Sequence, residues 1–259
     1  MAAELHQSRS GQTLVLTIAN PEHRNALGPE IYAAGLSALS MASTDAGIRS
    51  IVITGAGGVF SAGGNLQRLQ ANRTQAPEVQ GQSIEGLHQW IKSIAHCPKP
   101  VIAAVEGAAA GAGFSLALAC DLLVTADDAV MVMAYSSVAL SPDGGGTWSL
   151  AQALPRQLVT ELLMCGNRIS TRRLHELGVV NQVGPSGTAL QMAMALAETL
   201  NARAPNAMAS AKTLTRQAYA QDLNQQMDQE RDHFVNNLHH ANAGIGITAF
   251  LNKTTPRYL

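Results

Sequence analysis

Short apolar runs rich in β-branched residues alternate with helical stretches, and this pattern predicts an α/β fold for the 259-residue chain. Three observations carry the prediction. Thr13–Ala19, residues 50–54 and Val101–Val105 each read as a short buried strand. Breakers punctuate the chain between elements, notably Asn20-Pro21 and Pro98-Lys99-Pro100. From Gly144 onward helical patterns dominate, and residues 189–240 are almost continuously helical with a break near Pro205.

The elements follow in order. The strand Thr13–Ala19 ends at Asn20-Pro21, and Pro29 opens a helix reaching about Met41. The strand at 50–54 leads into a glycine-rich loop and a short helix from about Asn65. Residues 71–82 are polar, contain Pro77 and read as mobile. A helix over 83–95 stops at Pro98 and feeds the strand Val101–Val105. A second glycine-rich loop precedes an apolar helix to about Ala119, followed by strands at Leu122–Ala126 and 129–134. The helical stretch after 189 has no clear core of its own, so it is expected to pack on the first part or on another subunit. No internal repeat or low-complexity segment is present.

Composition narrows the function classes. A net charge of −1 gives no electrostatic case for nucleic acid or an anionic membrane. No apolar run approaches the roughly 20 residues of a membrane span, and the N-terminus lacks the pattern of a signal peptide. Cys97, Cys120 and Cys165 are odd in number and widely spaced, which suits reduced thiols and a cytoplasmic protein. No cysteine or histidine set has zinc spacing, so neither a metal nor a resident cofactor is expected.

Two small-residue loops carry the chemistry. They are Phe60-Ser61-Ala62-Gly63-Gly64-Asn65 and Glu106-Gly107-Ala108-Ala109-Ala110-Gly111-Ala112-Gly113. Each follows an apolar run and leads into a helix, where free N–H groups suit an oxyanion or a phosphate. Tight packing of a helix on a strand is the other use of such glycines. Two facing loops, however, can hold one oxygen between two amides, and losing one such donor costs roughly 2.7–4 kcal/mol in a reaction barrier. A phosphate-binding P-loop, a dinucleotide fingerprint and a serine-nucleophile elbow are all absent.

Asp143 stands between a proline and three glycines in Ser141-Pro142-Asp143-Gly144-Gly145-Gly146-Thr147-Trp148. It reads either as a cap for a helix starting near Gly146 or as a carboxylate base in an apolar pocket. Trp148 is expected in the core rather than in that pocket. Among the histidines, His88 lies near the start of a helix that could approach the site.

Four motifs occur together in this order: RNAL at 24–27, FSAGGN at 60–65, KPVIAAVEGAAAGAGFSLALACD at 99–121 and SPDGGGTW at 141–148. With them the chain resembles the crotonase superfamily, the enoyl-CoA hydratase/isomerase family, over nearly its whole length. The resemblance implies a spiral of ββα units over residues 1–200. It implies a helical region over 201–259 that serves oligomerisation, usually as trimers or hexamers, and covers coenzyme A. It implies an acyl-CoA substrate whose thioester oxygen is held by the amides of Ala62 and Gly111. Arg24 and Ala26, with Ala62, are then expected beside the CoA, and Phe250 and Lys253 at the CoA of a neighbouring subunit.

Hydratases of this family carry two water-activating glutamates at the positions of Ser115 and Tyr135, and this chain has neither. Asp143 falls where Δ3,Δ2-enoyl-CoA isomerases keep their acid/base. The PDGGGTW run most closely resembles the ring-1,2-epoxyphenylacetyl-CoA isomerase type. The expected reaction is therefore isomerisation, with Asp143 moving a proton between carbons beside an oxyanion-held enolate. A hydratase with a different water-activating set is an alternative. So is an aryl-CoA hydrolase or dehalogenase with Asp143 as nucleophile and His88 as base, and so is a non-catalytic acyl-CoA-binding protein. The acyl tunnel is expected from residues 71–95 and 131–138.

Overall fold

A computed structural model describes residues 3–259 of the chain. A six-stranded sheet forms its frame, in the order β1-β2-β3-β4-β6-β9. The strands are β1 (Glu4–Ser10), β2 (Thr13–Ala19), β3 (Ser50–Gly55), β4 (Val101–Val105), β6 (Leu122–Ala126) and β9 (Gln182–Gly184). Only β1 runs antiparallel to its neighbour. A smaller sheet joins β5 (Ala108–Ala110), β7 (Val130–Val132) and β8 (Arg168–Ser170). The helices are α1 (Pro29–Thr44), α2 (Leu66–Asn72), α3 (Pro77–His96), α4 (Ala112–Ala119), α5 (Gly146–Ala153), α6 (Arg156–Cys165), α7 (Thr171–Glu176), α8 (Ala189–Asn201), α9 (Pro205–Gln217), α10 (Leu223–Leu238) and α11 (Ala241–Leu251).

Alternation along the parallel strands divides the core in two, because successive side chains point to opposite faces. Ile51, Ile53, Val101, Ala103 and Val105 join the larger core with Leu16, Ile18, Phe60 and Trp90. Val52, Ile102, Ala104 and Val124 face the other way, onto Ala193 and Ala197 of α8. The small residues of α8 let it lie close on this buried face.

Three departures from the sequence reading have clear causes. β1 is polar and exposed; its pairing with β2, from Glu4 opposite Ala19 to Ser10 opposite Thr13, makes it a strand despite its composition. Residues 71–82 include the first turns of α3, which starts at Pro77. The buried stripe Leu87, Trp90 and Ile94 anchors that helix, and proline is well tolerated in its first turn. Trp148 is neither in the core nor in the site: it is 55% exposed, on the outer face of α5.

Beyond α8, the chain is tied back by charge. Lys212 on α9 lies 2.7 Å from Asp121 and also donates to the carbonyls of Ile94 and Lys99. No helix of the described residues is long and apolar enough to cross a membrane.

Candidate active site

Main-chain pairing brings the two glycine-rich loops together. Phe60 N–H donates to Glu106 O at 2.9 Å, Ser61 N–H to Ala108 O at 2.9 Å, and Ala110 N–H to Ser61 O at 3.0 Å. The first loop therefore runs as a short extra strand beside β5. Residues 24–27 lace its other side. Leu27 N–H donates to Gly63 O at 2.7 Å, and Ser61 Oγ to Asn25 O at 2.8 Å. Asn25 Nδ2 holds the carbonyls of Ala56 and Val59. Glycine is required at Gly63 and Gly111. Gly63 has φ 87° and a Cβ there would strike Ala110 O, while Gly111 has φ 51°.

This pairing corrects the expected amide grip. Ala62 N–H donates to Arg24 O at 3.0 Å and Gly111 N–H to Val132 O at 2.9 Å, so both are already spent. Gly63 N–H is taken by Ser61 Oγ at 3.1 Å. Among the described residues, the amides of Gly64 and Ala112 have no hydrogen-bond acceptor. Both residues line one cavity of about 430 Å³. Ala112 is the first residue of α4, where N–H groups have no partner within the helix. The sequence did not show which amides of a glycine-rich loop its own backbone would consume.

Asp143 lines the same cavity, and among the described residues it is the only acidic one that does. It is not a helix cap. The residue capping α5 is Gly145, with no side-chain cap, and the Asp143 carboxylate instead accepts the Tyr135 phenol at 2.6 Å. Burial, and next the negative charge of Asp143, push the Tyr135 phenol well above the usual tyrosine range. Tyr135 therefore stays protonated and serves as a donor. Ser115 is fully buried, and its hydroxyl donates to the Asp143 carbonyl at 2.9 Å. The two side chains standing at the family's glutamate positions thus both bind Asp143, a relation invisible in the sequence.

The remaining walls come from α2 and α3, with Leu66, Leu69, Ile84 and Leu87, and from Ala134, Val138, Leu140 and Pro142. His88 also lines the cavity, and its Nδ1 lies 3.6 Å from Glu85 on the exposed side of α3. Arg24 caps a short 3₁₀ turn with φ 51° and Ala26 is buried. Phe250, at the end of α11, is 85% exposed, and neither it nor Lys253 reaches this chain's own cavity.

A family model described as enoyl-CoA hydratase/isomerase matches residues 8–259. The chain belongs to the enoyl-CoA hydratase/isomerase family. Within this family it is 35% identical to the 1,2-epoxyphenylacetyl-CoA isomerase of Escherichia coli K12, covering 95% of this chain and 94% of the relative. It is 32% identical to the 2,3-dehydroadipyl-CoA hydratase of the same organism, covering 99% and 98%. Among solved structures, an enoyl-CoA hydratase from Polaromonas sp. JS666 matches with TM-score 0.98 and 66% identity, over 98% of this chain and 99% of that one. The crotonase-type fold expected from the motifs is thus the fold of this chain, and it is an enzyme of the enoyl-CoA hydratase/isomerase family.

Proposed function

We propose that this enzyme isomerises an acyl-CoA thioester by moving a proton between carbons, with Asp143 as the single acid/base. The observation that carries the reading is the position of Asp143: among the described residues it is the sole carboxylate on the cavity that the free amides of Gly64 and Ala112 also line. On this reading the thioester oxygen lies between those two amides. Loss of an α-proton then builds an enolate whose charge the amides stabilise without reorganising. Asp143 takes the proton from one carbon and returns it to another, which moves a double bond or opens a strained ring. A single carboxylate suffices because the proton is conserved.

Tyr135 acts as a positioning residue. Its phenol occupies one carboxylate oxygen at 2.6 Å and leaves the other for the substrate proton. Ser115 holds the backbone of the same residue, so the acid is fixed at two points. The arrangement speaks against water activation of the two-glutamate kind, since the side chains at those positions are spent on Asp143. The name of the Escherichia coli epoxyphenylacetyl-CoA relative supports an isomerase, and that of the dehydroadipyl-CoA relative a hydratase.

Asp143→Asn tests the proposal. Isomerisation of an enoyl-CoA or ring-epoxide CoA thioester should fall by at least about 10³-fold, while calorimetry still shows acyl-CoA binding. Near-normal turnover in this variant would remove Asp143 from the mechanism. A nucleophilic Asp143 with His88 as base is a second reading, motivated by His88 on the same cavity. It requires an acyl-aspartate adduct at Asp143, visible by mass spectrometry of the quenched enzyme.

A further inference from the structure

The cavity carries one cation that the proton transfer does not use. Arg68 on α2 lines it together with Tyr32 of α1 and Ser83 of α3. A guanidinium offers five N–H donors and stays charged at any working pH. Here Nη2 donates to Ser83 Oγ at 3.0 Å. Nε is sealed from solvent without an acceptor. No carboxylate of the described residues forms an ion pair with it.

Two acids are close enough to be considered. Glu30 is exposed; its Oε2 and Arg68 Nη1 each lie about 3 Å from where a Cβ on Gly28 would stand, yet the two form no ion pair within 4 Å. Asp143 is engaged by Tyr135. The Tyr32 phenol, pushed up to about 12 chiefly by burial, is opposed by the charge of Arg68 and by a hydrogen bond with it, and remains a neutral hydroxyl that supplies no counter-charge. The same cavity is also lined by the apolar Leu69, Ile84 and Leu87. A half-buried cation beside such a wall gains most when an anion meets it. Its planar fork matches a carboxylate better than any other common acyl substituent.

We infer that Arg68 reads the acyl group: the enzyme takes CoA thioesters whose acyl part bears a second carboxylate, remote from the thioester. The inference rests on the preceding reading only for the place of the thioester, at the Gly64 and Ala112 amides. The carboxylate then lies toward α1, α2 and α3, with Arg68 donating to it and the hydroxyls of Ser83 and Tyr32 beside it. An acyl chain ending in methyl leaves the guanidinium without a counter-charge and is bound more weakly.

Binding rather than turnover tests this, so the outcome does not depend on the isomerase chemistry. Two unreactive CoA thioethers are titrated calorimetrically, with six-carbon arms ending in carboxylate or in methyl. Wild type is expected to bind the carboxylate form at least about tenfold tighter, the value of one charge-assisted contact. Arg68→Met should abolish that preference while changing the affinity for the methyl form by less than about threefold. Arg68→Lys, which keeps the charge, should retain part of it, and Glu30→Gln should leave it in place. Free CoA is titrated as a third ligand. Equal weakening of all three ligands in Arg68→Met would show that Arg68 serves CoA or the fold and would overturn the inference. So would a wild-type preference for the methyl arm. Asp143→Asn should keep the carboxylate preference. Should that variant turn over while the preference stands, the isomerase reading fails and this inference survives.

Discussion

Asp143 owes its role to its neighbours more than to its own position. A short bond from a phenol that burial keeps protonated fixes one oxygen of its carboxylate. Removing that donor in Tyr135→Phe should let the carboxylate turn within the cavity. kcat is then expected to fall by about tenfold or more, the equivalent of one hydrogen bond to a charged group. KM should change less than kcat in steady-state assays. An unchanged kcat would show that Tyr135 only fills space. At this scale the sequence pointed to Asp143 through its glycine-rich setting, but not to its partners. Ser115 and Tyr135 stand 28 and 8 residues away and meet it only after the strands are placed.

At the scale of elements, the loop from Gly144 to the start of α5 closes over Ser115. A Cβ on Gly144 would lie 3.0 Å from Ser115 Cβ, and one on Gly146 would meet Ser115 Oγ at 2.5 Å. The space that a water-activating glutamate needs is therefore filled by this loop. Ser115→Glu should not create a hydratase. It is expected to destabilise the protein by about 2–4 kcal/mol, because a second carboxylate is forced into a closed site beside Asp143. Urea denaturation measures the loss, and chromatography of a crotonyl-CoA incubation checks for hydration product. Element positions were largely legible: β2, β4 and β6 coincide with the expected strands, since buried parallel strands are continuous apolar runs. Polar β1 and the first turns of α3 were not, because pairing and a distant buried stripe decide them.

Across the whole molecule, a buried ion pair helps to tie the helices after α8 to the sheet, beside Arg216 on the same Asp121 at 3.7 Å and Arg49 on the Tyr258 carbonyl at 2.7 Å. Lys212 is 8% exposed in its side chain and Asp121 18%, at 2.7 Å. Burial raises the Asp121 carboxyl above its ordinary value, with Lys212 pulling the other way. Lys212→Met leaves that carboxylate with Arg216 at 3.7 Å and the Val101 N–H at 2.8 Å and should cost about 1.5–3 kcal/mol at neutral pH. A raised folded value means that the folded state holds the proton more tightly than the unfolded one. The penalty should therefore shrink as pH falls through the carboxylate range and Asp121 takes up a proton. Thermal melts of both proteins between acid and neutral pH check this. A penalty that does not vary with pH would assign the loss to packing alone.

The sequence by itself determined the family, the α/β frame and the two loops, because small residues, apolar strands and a lone acid between glycines are local signals. Tertiary structure decided which amides stay free, since main-chain pairing consumed those of Ala62 and Gly111 and spared those of Gly64 and Ala112. It also decided that Arg68 and Asp143 line one cavity. Donor availability and charge balance depend on contacts between segments far apart in the chain, and such contacts exist only once the chain has folded.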